Sequence, residues 1–268
     1  MLKSLRRQSL ITVAVACALA AFPVALLANH SWGGYHWARS NNPLGLQVGN
    51  NLTTADWSSH YTTAIQDWNQ SKMLSLNPVN GTSNKHCGAV GGTVQVCNGK
   101  YGYNGWLGLA QIWLAKRSDH ITQGIVKVND SYFTSSTYDN PNEKQHVMCQ
   151  EIGHTFGLDH QDTSGADFNT CMDYFSNTGR NATSTDSTHP NAGDNDELDC
   201  IYDPADAGKT LTSTTSGRTH SCTGTGHLDS TNTWSSSIKQ RPGHNGVFVT
   251  RDGAFTRITI VTWANPIH

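Results

Sequence analysis

Residues 146–162 read HVMCQEIGHTFGLDHQD, and the run QEIGHTFGLDH inside them dictates a local geometry to any fold that contains it. On a helix, positions four apart lie one turn apart on nearly the same face, so Gln150 and His154 point together with Glu151 beside them. Gly157 follows three residues after His154, where a residue without Cβ lets a helix stop in the left-handed conformation. The chain then turns back and returns His160 toward His154. A lone H-x-x-x-H is common on solvated helix surfaces. E-x-x-H-x-x-G-x-x-H is far more specific, because each of its elements has a separate mechanical duty. A second element follows in CMDYF, residues 171–175, which sets Met172 after a short loop and Tyr174 two positions beyond it.

The rest of the chain bounds what such a site serves. Lys3, Arg6 and Arg7 precede an apolar run from Leu10 to Leu27 that ends in Ala28, the pattern of a secretory signal over residues 1–28. An uncleaved membrane anchor is the alternative for that run; the residues before Cys17 fit a lipoprotein signal poorly. Nothing later approaches a membrane span, and what remains suits one domain with an appendage. A formal net charge of -2 leaves no basic footprint for nucleic acid and no acidic tail. The polar character comes from Ser, Thr, Asn and Gly, which fits an extracellular, loop-rich fold. Apart from Cys17 there are six cysteines, an even set that reads as disulfides in a secreted chain. Six allow fifteen connectivities; Cys87 and Cys97, which flank a Gly-rich piece, read as a local bridge, and Cys149 and Cys171 bracket the motif, which would leave Cys200 for Cys222.

Along the chain, residues 43–52 read as a strand and 54–71 as a helix with Thr54 as N-cap and Trp57, Tyr61, Ile65 and Trp68 at helical spacing. Residues 73–79 alternate and meet Pro78 as a strand ending would. Further strands are expected at Thr93–Tyr103, Trp106–Leu114 and residues 121–130, leading into the motif helix. Leu198, Ile201 and Tyr202 form a closing helical stripe stopped by Pro204, where the main domain ends. Residues 205–268 then comprise a Ser/Thr-rich linker and two alternating runs around Asp252 and Gly253, a β-hairpin expected to dock on the main domain.

With one letter changed, Gln150 to His, the motif would be the H-E-x-x-H-x-x-G-x-x-H signature, and over residues 42–204 the chain resembles a metzincin zinc endopeptidase. The resemblance implies an α+β domain spanning residues 29–204, with a mixed, mostly parallel sheet packed with helices. It implies Zn2+ on Gln150, His154 and His160, Glu151 as the base that activates water, and Met172 as the apolar floor beneath the metal. Tyr174 matches a family tyrosine that approaches the metal or steadies the oxyanion. Peptide or protein substrates would lie extended along the sheet's edge strand, here Trp106–Leu114. The function implied is a secreted, monomeric metalloprotease with no nucleic-acid partner and no membrane association after signal cleavage. The alternative is an inactive metzincin-like protein that binds peptides or adheres to surfaces, for which eight Trp residues and the C-terminal hairpin are candidates.

Gln150 is the departure. A neutral amide oxygen is a poorer partner for zinc than an imidazole nitrogen, so affinity falls. Three arrangements stay open: Gln150, His154 and His160 on a catalytic zinc; two histidines with Tyr174 holding metal weakly; or an empty cleft. His146 lies about 12 Å along the helix axis from His154, too far to share an ion with ease, and reads better as packing at the helix start. Cys149 points away from Gln150 and reads as a disulfide half. His120 and His189 read as surface groups, and Asp194, Asp196 and Glu197 as a calcium site or simply an acidic helix start.

Overall fold

Leu44, Leu46 and Val48 are buried while Gly45 and Gln47 between them are exposed, the period-two pattern of a strand with one face on a core. That strand is β2 (Leu44–Asn51) in a computed structural model of the chain, which describes residues 30–31, 34–162, 164–202 and 246–264. The expected signal and linker, with Cys17, Cys222 and Pro204, lie outside the described residues. The other strands are β1 (His36–Trp37), β3 (Leu74–Asn80), β4 (Thr93–Gly99), β5 (Trp106–Leu114), β6 (His120–Asn129), β7 (Val247–Asp252) and β8 (Phe255–Trp263). The α-helices are α1 (Ala55–Trp68), α2 (Pro141–His154) and α3 (Ala192–Tyr202).

The fold is α+β, with a mixed sheet in the order β3-β2-β4-β6-β5-β8-β7, and β1 paired to β6. Strands β2, β3, β4 and β6 run parallel, while β5, β8 and β7 follow in antiparallel steps. Parallel neighbours need a crossover, and α1 supplies it between β2 and β3. Thr54 caps α1 by accepting from the Trp57 N–H, and Trp57, Tyr61, Ile65 and Trp68 are buried. Helix α1 holds the motif helix in place: Trp68 Nε1 donates to the Cys149 carbonyl at 3.1 Å, and Lys144 bonds Asp56 at 2.7 Å. The closing helix locks from the other end, because Tyr202 donates its hydroxyl to the Phe156 carbonyl at 2.8 Å, just beyond α2.

Three expectations need correction. Pro78 does not end β3, which runs on to Asn80; β3 is an edge strand, where a residue without an N–H costs no ladder bond on the open side. The strand expected to reach Tyr103 stops at Gly99, before the positive φ at Gly102. Most consequential, β5 is no edge. Its nine residues are all buried, with β6 on one side and β8 on the other in register from Trp106↔Trp263 to Leu114↔Thr256. The hairpin therefore docks as expected, yet as part of the main sheet. Its inward residues Ile258 and Ile260 are fully buried in the principal core, and Val261 and Trp263 pack on the opposite face with Trp106, Leu109 and Phe248.

Candidate metal and acid–base site

Helix α2 begins where the sequence equips it to begin. The Asn140 side chain accepts from the Glu143 N–H at 2.9 Å, and Pro141 takes the first-turn position where its missing N–H is harmless. From Glu143 to His154 every residue is buried, because α1, the sheet and the loop around Met172 enclose the helix. Polar side chains so enclosed need partners. Gln145 takes His60 Nδ1 at 3.0 Å, and His146 Nδ1 donates to the Ser187 carbonyl at 2.5 Å. His146 is thus a packed core histidine, whose pKa burial lowers to about 4.

The helix stops as the sequence predicts. Gly157 has φ +98, and a Cβ there would stand 1.9 Å from the Tyr35 carbonyl oxygen, so both conformation and space demand glycine. The turn brings the Leu158 carbonyl under His154, whose Nδ1 donates to it at 2.8 Å. That bond sets the proton on Nδ1 and makes Nε2 the acceptor nitrogen of the ring. His160 returns with its own Nε2 3.2 Å from His154 Nε2 and the ring centroids 4.5 Å apart. Burial, then the neighbouring His160, hold the His154 pKa well below its usual value, so it is neutral.

Behind the histidines runs the 170–174 loop. Met172 is fully buried, and its Sδ packs so closely on α2 that a Cβ at Gly153 would lie 2.6 Å from it. The Tyr174 ring stacks on His160 with centroids 4.2 Å apart and planes 22° from parallel, and burial raises its phenol pKa. The disulfide Cys149–Cys171 ties this loop to the motif helix, and Cys87–Cys97 bridges the Gly-rich piece. Cys200 is disulfide-bonded as well.

Gln150 and Glu151 face the sheet. The Gln150 amide is engaged at both ends: Nε2 donates to the Asp173 carbonyl at 2.7 Å, and Oε1 accepts from the Thr262 hydroxyl of β8. The orientation is fixed by chemistry, since the reverse would set the amide oxygen against a carbonyl. Glu151 lies over Gly108 of β5, where a Cβ would come within 2.6 Å of its Oε1. A bulge at Leu107 makes this possible by putting Gly108 opposite Thr262 directly beneath the helix. Neither Glu151 oxygen meets the geometry of a full hydrogen bond among the described residues, although the Thr262 hydroxyl and N–H both face it. Burial raises its pKa to about 8, against the smaller opposing pull of Thr262. A buried carboxylate without a firm partner is costly in a structural role and characteristic of acid–base chemistry.

Two nitrogens each about 2.0–2.1 Å from a tetrahedral zinc ion stand roughly 3.3 Å apart, and the His154 and His160 nitrogens are 3.2 Å apart. The histidine pair fits. Among the described residues no three His, Cys, Asp or Glu side chains converge as an ion site. Asp194, weighed for calcium, is instead a buried junction: it accepts from Thr170 Oγ1 at 2.5 Å and the Asn191 N–H at 2.7 Å, and it pairs with His30 Nε2 at 3.1 Å. Burial opposes a charge on His30, but the Asp194 bond and charge prevail and raise its pKa. His189 is exposed as expected and bonds Asp67 at 2.6 Å; His120 is half-buried and meets the His36 ring edge-on at 4.9 Å.

Sequence reasoning missed Gly108 and Thr262. An isolated glycine inside an apolar strand is a signal of close backbone approach, and Gly108 carried it. Nothing in the sequence marked Thr262.

No protein-family model matches the chain, and no curated protein matches it. Among solved structures it is similar to one titled "Structure of Myroilysin", with 13% identity over 66% of this chain and 95% of that one and a TM-score of 0.35. It is also similar to high choriolytic enzyme 1, a hatching enzyme zinc-protease from Oryzias latipes (Medaka fish), with 12% identity over 63% and 94% and a TM-score of 0.33. Neither likeness bears on the chemistry, which rests on this chain's own side chains.

Proposed function

We propose that the chain is a secreted, monomeric, zinc-dependent endopeptidase of metzincin type, with residues 1–28 as its secretory signal. One observation carries the reading: two neutral-capable imidazole nitrogens face each other 3.2 Å apart, one of them tautomer-locked, at the end of a buried helix that also bears Glu151. His154 and His160 would hold the ion. When bound, zinc polarises a peptide carbonyl and acidifies water. Glu151 would take a proton from the attacking water and deliver it to the leaving amine. Tyr174 braces His160 by stacking and is the candidate donor to the oxyanion. Met172 supplies a dry floor packed against Gly153, and Gly157 permits the turn after which His160 returns to His154.

The test is cleavage of casein by protein equilibrated with zinc, followed by mass spectrometry of the fragments. New peptides should form with the natural chain and vanish with Glu151→Gln, which keeps the shape of the carboxylate without its proton transfer. Identical fragments from Glu151→Gln would overturn the assignment. Intact casein bound to a zinc-loaded chain would point to the binding-only alternative.

A further inference from the structure

We propose that β8 is an internal occupant of the peptide site, and that the Gln150 amide is the latch that holds it there. The inference rests on the peptidase reading above, since it concerns what lies in that site. Extended peptides bind sheets by pairing with an open strand. The strand next to Glu151 is β5, and β8 already pairs with it in antiparallel register along its whole length. The closest approach falls at the chemistry: Thr262 is opposite Gly108, its hydroxyl bonds Gln150, and its hydroxyl and N–H face the Glu151 carboxylate. Water or a carbonyl oxygen reaching Glu151 would need the space that Thr262 fills.

This gives Gln150 a duty separate from metal ligation. Its Nε2 anchors to the Asp173 carbonyl behind the histidines while its Oε1 reaches forward to β8, so one side chain couples the metal loop to the occupying strand. The occupant also defines what β5 accepts. Ile258, Ile260 and Thr262 point to the helix side, Val261 and Trp263 to the other, so the competing ligand is an extended peptide with β-branched residues at alternate positions. Because Ile258 and Ile260 are fully buried, β8 leaves by a cooperative opening of the hairpin.

Hydrogen exchange on the full-length, metal-free protein tests this without reference to cleavage. Amides of 247–263 should exchange faster than those of β4 and β6. Thr262→Val should speed exchange of β8 about tenfold, the effect of one lost buried hydrogen bond, and leave β4 and β6 unchanged. An excess of synthetic FTRITIVTWA, the sequence of residues 255–264, should deprotect β8 while β5 stays protected. If β8 exchanges only at the rate of β6, with or without that peptide, the strand is a permanent part of the sheet and the proposal fails. The wild-type comparison decides the matter even where the variant does not fold. Failure of zinc binding would strike the peptidase reading and leave these exchange rates as they are.

Discussion

At the scale of single residues, the site is a set of close approaches that tolerate little change. A Cβ on Gly108 would lie 2.6 Å from Glu151 Oε1 and 2.7 Å from Val147 Cγ1. Gly108→Ala should therefore cost about 1–3 kcal/mol by overpacking, read as a shift in urea midpoint. Gly45→Ala on β2, with nothing within 4 Å of its Cβ, should cost far less, and equal shifts would refute the packing account. His146 makes a pH prediction. Its folded pKa is depressed from 6.5 to about 4 by burial, so its contribution is complete above pH 6.5 and is lost as pH falls toward 4. That contribution is about 3 kcal/mol. Denaturant titrations at pH 7 and pH 4 should show the natural chain losing about that much more than His146→Gln does; equal losses would show that the histidine titrates freely.

At the scale of elements, the motif helix is stable because it is strapped from every side. The disulfide Cys149–Cys171 closes a separation of 22 residues between α2 and the Met172 loop. Replacing both cysteines by alanine should lower stability by about 3 kcal/mol on chain-entropy grounds, and the amides of 171–174 should lose exchange protection first. Uniform loss across the protein would mean that the bridge does not position the loop. This helix was also the most legible part of the sequence. Gly157 and the four-residue spacing of Gln150 and His154 each act within a few residues, so local rules sufficed, whereas the Asn140 cap and Pro141 were recognised only in the structure. Strands β2, β5 and β6 were legible from alternation and apolar runs for the same reason. Strand β1 was not, because two residues carry no period and owe their pairing to His120 and Ile121, which are distant in sequence.

At the scale of the whole molecule, what the sequence concealed was order across the sheet. The alternation in residues 246–264 announced a hairpin and its need to dock, but hydrophobic period does not say which strand it joins. That choice turned β5 from an open edge into an interior strand and brought Thr262 to Gln150. Gln150, which stands where the metzincin signature has a histidine, ties the Met172 loop to β8. The histidine pair is unaffected by that tie, and its spacing is the foundation of the account.

The most direct measurement is the metal content of the protein by mass spectrometry after dialysis against trace zinc, with His154→Ala and Gln150→His alongside. The natural chain should hold about one zinc ion per molecule, His154→Ala should hold none, and Gln150→His should bind more tightly. A natural chain that stays metal-free at zinc levels that fill Gln150→His would contradict the account, because two histidines placed as these are would then be insufficient to hold the ion.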